Sequence, residues 1–300
     1  MGVYRRPAIL ALWFIAAFAV SRLILSVIFW DRVGPTDGLG FIFAQGLRFD
    51  LITVAAVLGP VFLIRPVLHT AQVLRWLSNV LIPVYLGAVT AAVFFVEAST
   101  ASFIGQFDSR PNFLFVEYLQ YPREVFSTVI ASKPVEFSVF SLAALGLAWW
   151  VARWMRRDPF AQRRVSPWFA LAALPLVALL MFALIRSTTA HRPVNPSNAA
   201  FSQDSMVNQL PLNSPYSVLY AIEERRGEAA NERIRYGQME DSEVLEVVLR
   251  EAGISAADQL DPENRPTLHR QTATVRRDEP LNLVIVLLES QGATYVGSLG

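Results

Sequence analysis

The sequence has no cysteine. That excludes a disulfide scaffold, a zinc finger and a thiol nucleophile. Charge is also scarce: Asp, Glu, Lys and Arg make up 17% of the chain, against about 25% in an average globular protein. The net charge is only +1, so no global field recruits a polyanion, and nucleic acid is excluded as a partner. The three histidines, His69, His191 and His269, are scattered and lack an acidic or histidine neighbour at metal-ligand spacing. Internal repeats are absent.

Apolar residues are abundant, at 53% with a mean hydropathy of +0.38. Nearly all the excess lies before residue 187, in five blocks over 8–30, 49–64, 80–96, 137–152 and 167–185. A spanning helix needs about 20 apolar residues. Blocks one, three and five meet that length. Blocks two and four reach it only with their flanks included. Buried helices of a soluble core would carry a polar face, and these blocks carry none. The pattern therefore predicts five transmembrane helices.

Arginine placement predicts their orientation. Arg5 and Arg6 precede block one, Arg65 and Arg75 lie between blocks two and three, and Arg153, Arg156, Arg157, Arg163 and Arg164 lie between blocks four and five. The positive-inside rule puts the N-terminus in the cytoplasm and the chain after Arg186 outside. The start also resembles a secretory leader, with Ala17-Phe18-Ala19 as a cleavage site. However, the apolar run resumes at Leu23 and continues to Trp30, so an uncleaved first helix is expected. Arg22, near its outer end, is expected to snorkel to the interface, with a lipid phosphate as the functional alternative. Trp149, Trp150, Trp154 and Trp168 read as an aromatic belt.

Residues 187–215 are rich in Pro, Asn and Ser and read as extended linker, because the residue before each proline is pushed out of the helical region. Helices are expected from about 217 to 232 and over 241–251. Asp241 or Ser242 would cap the second, and Gly253 would stop it. Residues 258–280 read as a polar connection. The division predicted is a membrane module over 1–186, an extracytoplasmic linker with helices over 187–280, and the start of a further domain over 281–300.

Residues 281–288 form a continuous, largely β-branched apolar run, the pattern of a buried parallel strand. Glu289 stands at its carboxyl end, where open α/β sheets bind ligands. An ionised carboxylate there is costly unless paired or bound to a cation. The alternative is a helix N-terminus, with Ser290 as cap and Glu289 complementing the dipole.

The stretch Asn282–Ser290 (NLVIVLLES) running into Tyr295–Gly300 (YVGSLG) resembles the opening of the catalytic domain of the lipoteichoic acid synthase and phosphoglycerol transferase family. These are sulfatase-like members of the alkaline phosphatase superfamily. The stretches at 46–50, 110–119, 192–201 and 213–217 are similar to stretches of its Gram-negative branch. The resemblance implies five transmembrane helices in the bacterial inner membrane, followed by a periplasmic α/β sulfatase-like domain. It implies a threonine nucleophile that takes glycerophosphate from phosphatidylglycerol, releases diacylglycerol, and passes the group to a glucan or polyglycerolphosphate acceptor. It implies a divalent metal, Mn or Mg, with Glu289 as its first ligand. The nucleophile and the remaining ligands would lie beyond Gly300, so these 300 residues are expected to be an inactive N-terminal fragment of an enzyme.

Three further residues are candidates for lipid contact. Arg48 and Asp50 begin block two at the outer interface, and Arg110 follows block three. Guanidinium suits phosphate, while the simpler expectation is a mutually paired boundary. Two alternatives remain: a phosphoethanolamine transferase, whose nucleophile follows Glu directly where Ser290 stands, or a non-catalytic membrane module. A transporter part is disfavoured by the near absence of acids within the blocks.

Overall fold

The computed structural model describes residues 2–118, 120–160, 162–231, 239–271 and 284. The chain divides into two compact units, Met1–Arg233 and Ile234–Gly300. The expected strand at 281–288, apart from Val284, and Glu289 lie outside the described residues.

The first unit is helical, and five of its helical segments are long and apolar enough to cross a membrane. They are Gly2–Ile28, Leu39–Leu68, Gln72–Phe107, Pro134–Arg156 and Pro167–Arg186. Their helices in chain order are α1 (Arg5–Ile28), α2 (Trp30–Val33), α3 (Leu39–Leu68), α4 (Gln72–Ala98), α5 (Thr100–Phe107), α6 (Phe113–Tyr118), α7 (Pro122–Ser132), α8 (Pro134–Arg156), α9 (Pro167–Arg186) and α10 (Ser214–Asn231). The second and fourth spans extend well past their apolar blocks, to 30 and 23 residues. Helix α3 begins ten residues before block two and so takes in Gly46, Arg48, Phe49 and Asp50 as helical positions.

The spans pack chiefly as α4 on α8, α3 on α9 and α1 on α3. Their shared core joins Leu10, Phe14 and Phe18 of α1 to Leu58 of α3, Leu86 of α4 and Val151 of α8. Lipid tails are as apolar as leucine, so close backbone approach rather than hydrophobicity holds such helices together. Gly87 shows this: a Cβ there would lie 2.7 Å from the backbone oxygen of Ala148 on α8. Outward faces are leucine-rich, as at Leu171 and Leu179 of α9.

The arginine-rich end of the bundle is pinned by a buried ion pair. Arg65 at the end of α3 donates to Asp158 after α8 at 2.5 Å and to the Val3 carbonyl at 2.7 Å. Arg6 lies over the Trp154 ring and faces the same carboxylate at 3.8 Å. Trp13, Trp150 and Trp154 stack together at this end, while Trp149 and Trp168 are exposed. His69 is buried beside Arg163, its Nδ1 3.3 Å from the Arg163 carbonyl.

The stretch after α9 differs from the extended linker expected of it. Val194, Ala199, Met206, Val207, Leu210, Leu212 and Tyr216 are all buried. Met206, Val207 and Leu210 pack on Leu25 of α1 and Ile42 of α3, and Val194, Ala199, Leu212 and Tyr216 pack on Phe49 and Ile52 of α3. Irregular spacing hid most of these residues, because Ala199 and Val207 sit on two 3-10 turns, Pro196–Ala199 and Val207–Gln209, and Val194, Met206, Leu210 and Leu212 lie in the irregular chain around them. A capping box between Asn195 and Asn198 holds the first turn.

The described part of the second unit contains α11 (Asp241–Glu251), with the bounds expected from its apolar spacing. Its N-cap differs. Glu240 holds that position, and neither Asp241 nor Ser242 caps the helix through its side chain. The stop is as expected: Gly253 has φ +66°, with Gly253 N–H donating to Arg250 and Ile254 N–H to Leu249. Both bonds together form a Schellman end. Among the described residues there is no named strand, only an isolated bridge between Gln259 and His269.

Candidate functional site

A second buried polar cluster of the first unit lies at the bundle end opposite the arginine-rich turns. There the segment 204–217 is held by three arginines. Helix α1 carries Arg22 one turn from Phe18 and Leu25, so its side chain points into the bundle rather than along the lipid face. Arg22 is 1% exposed, so it does not snorkel. It donates to both oxygens of Asp50 on α3, at 2.8 and 3.1 Å. The two remaining contacts run to the carbonyls of Leu210 (3.3 Å) and Pro211 (3.2 Å). Gly46, one turn before Asp50 on α3, makes room: a Cβ there would fall 2.2 Å from the Arg22 guanidinium carbon.

Asn213 completes this group. Its amide donates to Asp50 at 3.0 Å, and its oxygen accepts from Thr53 at 2.9 Å. The same oxygen accepts the Tyr216 backbone N–H at 2.9 Å, so Asn213 caps α10. A carboxylate buried in a bundle is tolerated only with such a set of donors.

The second arginine is Arg110, also 1% exposed. It donates to Glu97 at the end of α4 (3.1 Å), to the Ser214 hydroxyl (3.0 Å) and to the carbonyls of Gln209 (2.9 Å) and Leu210 (3.4 Å). Burial lowers the Arg110 pKa, and the adjacent Glu97 carboxylate opposes that shift. Glu97 also accepts the Ser21 hydroxyl at 2.6 Å and the Ser214 N–H at 2.9 Å. A carboxylate at the first turn of α10 complements the helix dipole. The Thr100 and Ser214 hydroxyls are 2.6 Å apart.

The third, Arg32, bridges Asp108 (2.5 Å) and Asp204 (2.7 Å). Asp204 in turn accepts the N–H groups of Met206 and Val207 and so starts the 3-10 turn. The Arg32 guanidinium holds the Asp204 pKa below the usual carboxylate range, and the two carboxylates raise that of Arg32.

The residues singled out from the sequence are thus brought to one end of the bundle but not to one another. Arg48 and Asp50 are not a mutual pair. Asp50 and Arg110 are buried and bonded throughout to protein groups, so a head-group contact would require them to exchange partners. Arg48 is half-buried. Its Nε donates to the carbonyl (2.9 Å) and hydroxyl (3.1 Å) of Ser187, and its Nη2 also meets that carbonyl. Ser187 is the left-handed C-cap of α9, so Arg48 satisfies a helix-end carbonyl. Glu289 lies outside the described residues.

The residues that organise this end without having been grouped in advance are Glu97, Asn213, Ser214 and the Arg22–Asp50 pair. One signal for the pair was available. Arg22 and Asp50 are lone opposite charges in consecutive apolar blocks at the same expected depth, and intramembrane charges pair. Chemically, the cluster is nearly charge-balanced, and its buried arginines and Asp50 are bonded to protein groups. It suits positioning a chain segment rather than moving protons. Among the described residues, no three His, Asp or Glu side chains gather in a way that could hold a metal ion. No family model matches the chain, and no solved structure matches it.

Proposed function

We propose that the chain is the membrane module, with the first strand of the catalytic domain, of a phosphoglycerol transferase that uses phosphatidylglycerol as donor. The observation that carries the proposal is the order of parts: five apolar spans, then an extramembrane stretch, then the NLVIVLLES run with Glu289 at the end of its apolar part. The positive-inside bias supports an N-terminus in the cytoplasm and a periplasmic C-terminal part.

The reaction breaks the phosphate–oxygen bond to diacylglycerol and forms one to a threonine hydroxyl supplied by sequence after Gly300. The diacylglycerol oxygen takes the proton. A glucan or polyglycerolphosphate hydroxyl then displaces the threonine. A divalent metal, Mn or Mg, would supply Lewis-acid polarisation of the phosphate when bound. Glu289 is the one ligand assigned from this chain, and the membrane module would present the lipid. Arg48 is the candidate for that role. Its committed contacts are to a single serine at the bundle end, and a guanidinium pairs well with a phosphate oxygen. Asp50 and Arg110 hold the segment beside it.

Ser290 keeps a hydroxyl directly after Glu289, which supports a phosphoethanolamine transferase as the second reading. The test uses protein extended through the catalytic domain, Mn²⁺, and either labelled phosphatidylglycerol or labelled phosphatidylethanolamine. Release of diacylglycerol from phosphatidylglycerol is the expected result. Turnover of phosphatidylethanolamine alone would select the second reading, and turnover of neither would refute both. Arg48→Ala should lower turnover of the lipid by about tenfold or more, the effect of losing a charged hydrogen bond of about 1.5–3 kcal/mol.

A further inference from the structure

A cavity of 660 Å³ runs along the bundle between α1, α4 and α8. Its volume lies within the range of small-molecule sites, about 300–1,000 Å³. On α1 it extends from Leu10 to Leu25, about 22 Å of helix rise. That exceeds one leaflet's half of the hydrocarbon core, which is about 30 Å thick in all. Val20 and Ile24 line it and are themselves more than half exposed, so one side opens to the lipid. Trp13 and Trp150 close the arginine-rich end.

The other end carries nearly all the polarity: Ser21, Glu97 and Thr100. Glu97 is the residue whose arrangement selects a ligand. Its side chain is 12% exposed, whereas its partner Arg110 is 1% exposed. A molecule in the groove therefore meets the carboxylate edge and not the guanidinium. A carboxylate offers about four acceptor positions. Three are taken, by Ser21, Arg110 and the Ser214 N–H. What remains is one acceptor position on a carboxylate already paired with Arg110. A phosphate diester brings acceptors and no donor to that position, whereas a hydroxyl donates to it.

We infer that this groove binds a neutral, hydroxyl-headed acyl lipid of the diacylglycerol class, with one acyl chain between α1, α4 and α8 and the hydroxyl donated to Glu97. The transferase reading bears on this only as the source of the lipid, since diacylglycerol would be its lipid product. The groove opens sideways to the bilayer and gives that lipid a route away from the head-group region.

The test uses the 300-residue chain in nanodiscs without metal, and a diacylglycerol with a photoreactive group in mid-chain. Labelling is expected on α1, α4 and α8 peptides, competed by unlabelled diacylglycerol and not by equal phosphatidylglycerol. Ala17 lines the groove, whereas its neighbour Ala16 does not. Ala17→Trp should reduce labelling about tenfold and Ala16→Trp should leave it unchanged. Labelling of α9 equal to that of α1, equal competition by phosphatidylglycerol, or an Ala17→Trp protein labelled like the parent would each overturn the inference. No turnover enters this assay. Labelling of this chain as expected, with no diacylglycerol released by the extended protein of the transferase test, would refute the transferase reading and leave the groove standing, and the reverse result would refute the groove alone.

Discussion

Arg22 and Asp50 meet in a two-pronged ion pair with both side chains 1% exposed, and the pair is closed over by the carbonyls of Leu210 and Pro211 and the amide of Asn213. Removing one partner leaves an uncompensated buried charge, which costs about 3–5 kcal/mol. Replacing both with apolar groups does not. Asp50→Ala should therefore lower the unfolding midpoint in detergent sharply. Arg22→Met combined with Asp50→Leu should recover most of the loss. A double variant no better than Asp50→Ala would contradict the pairing as the source of the effect.

Asn213 joins three things at once: the Asp50 carboxylate, the Thr53 hydroxyl and the first turn of α10. Asn213→Ala should cost about 1–2 kcal/mol from the lost cap alone. The loss should be local, because the five spans keep their own contacts. Limited proteolysis should show faster cleavage within 187–210 at unchanged global unfolding. Unchanged cleavage would mean that the segment is held without Asn213.

The Arg32–Asp204 contact predicts a pH dependence. The Asp204 pKa is depressed in the folded state. Its contribution is therefore fully present above the ordinary carboxylate value, about 3.9, and is lost as pH falls through the lower folded value. Proteolytic opening of 202–210 should rise on acidification below about pH 4. Asp204→Asn should already be open at neutral pH and show a flatter profile over that range.

Gly87 sets the distance between α4 and α8. With 2.7 Å between an added Cβ and the Ala148 oxygen, a side chain there must push backbone apart. Gly87→Leu should destabilise the bundle by about 1–3 kcal/mol or more, the usual cost of overpacking. Gly146 on α8 has open space where a Cβ would go, so Gly146→Ala should be tolerated. Equal stability of the two variants would show that α4 and α8 are not in close contact.

Much of the fold could be read from the sequence because lipid imposes a simple rule: a spanning segment must be apolar over its whole length and satisfy its own backbone. The five spans follow from that rule, as does α11 from its 3.6-residue spacing. The 187–217 segment obeys no such rule. Most of its buried residues sit on turns or irregular chain before α10, and partners lie up to 189 positions away, as for Arg22 and Pro211. Nothing periodic marks Met206 or Leu212 as core. Arg22 and Asp50 could be read as lone opposite charges at matching depth, but not the faces of α1 and α3 that bring them together. Gly46 decides that meeting, and its role is visible only with Arg22 beside it.

The hold on 204–217 also fixes where mechanical force enters the bundle. Tension on the chain beyond α10 would not reach α9 first, although α9 is the nearest span in sequence. It would pass through Asn213, Leu210 and Ser214 into Arg22, Asp50 and Glu97, and so into α1, α3 and α4. Hydrogen bonds that point into the bundle from several sides are loaded together rather than broken one after another. Helix α9 packs on α3 and is tied to it through Arg48 and Ser187, but it lies outside this path.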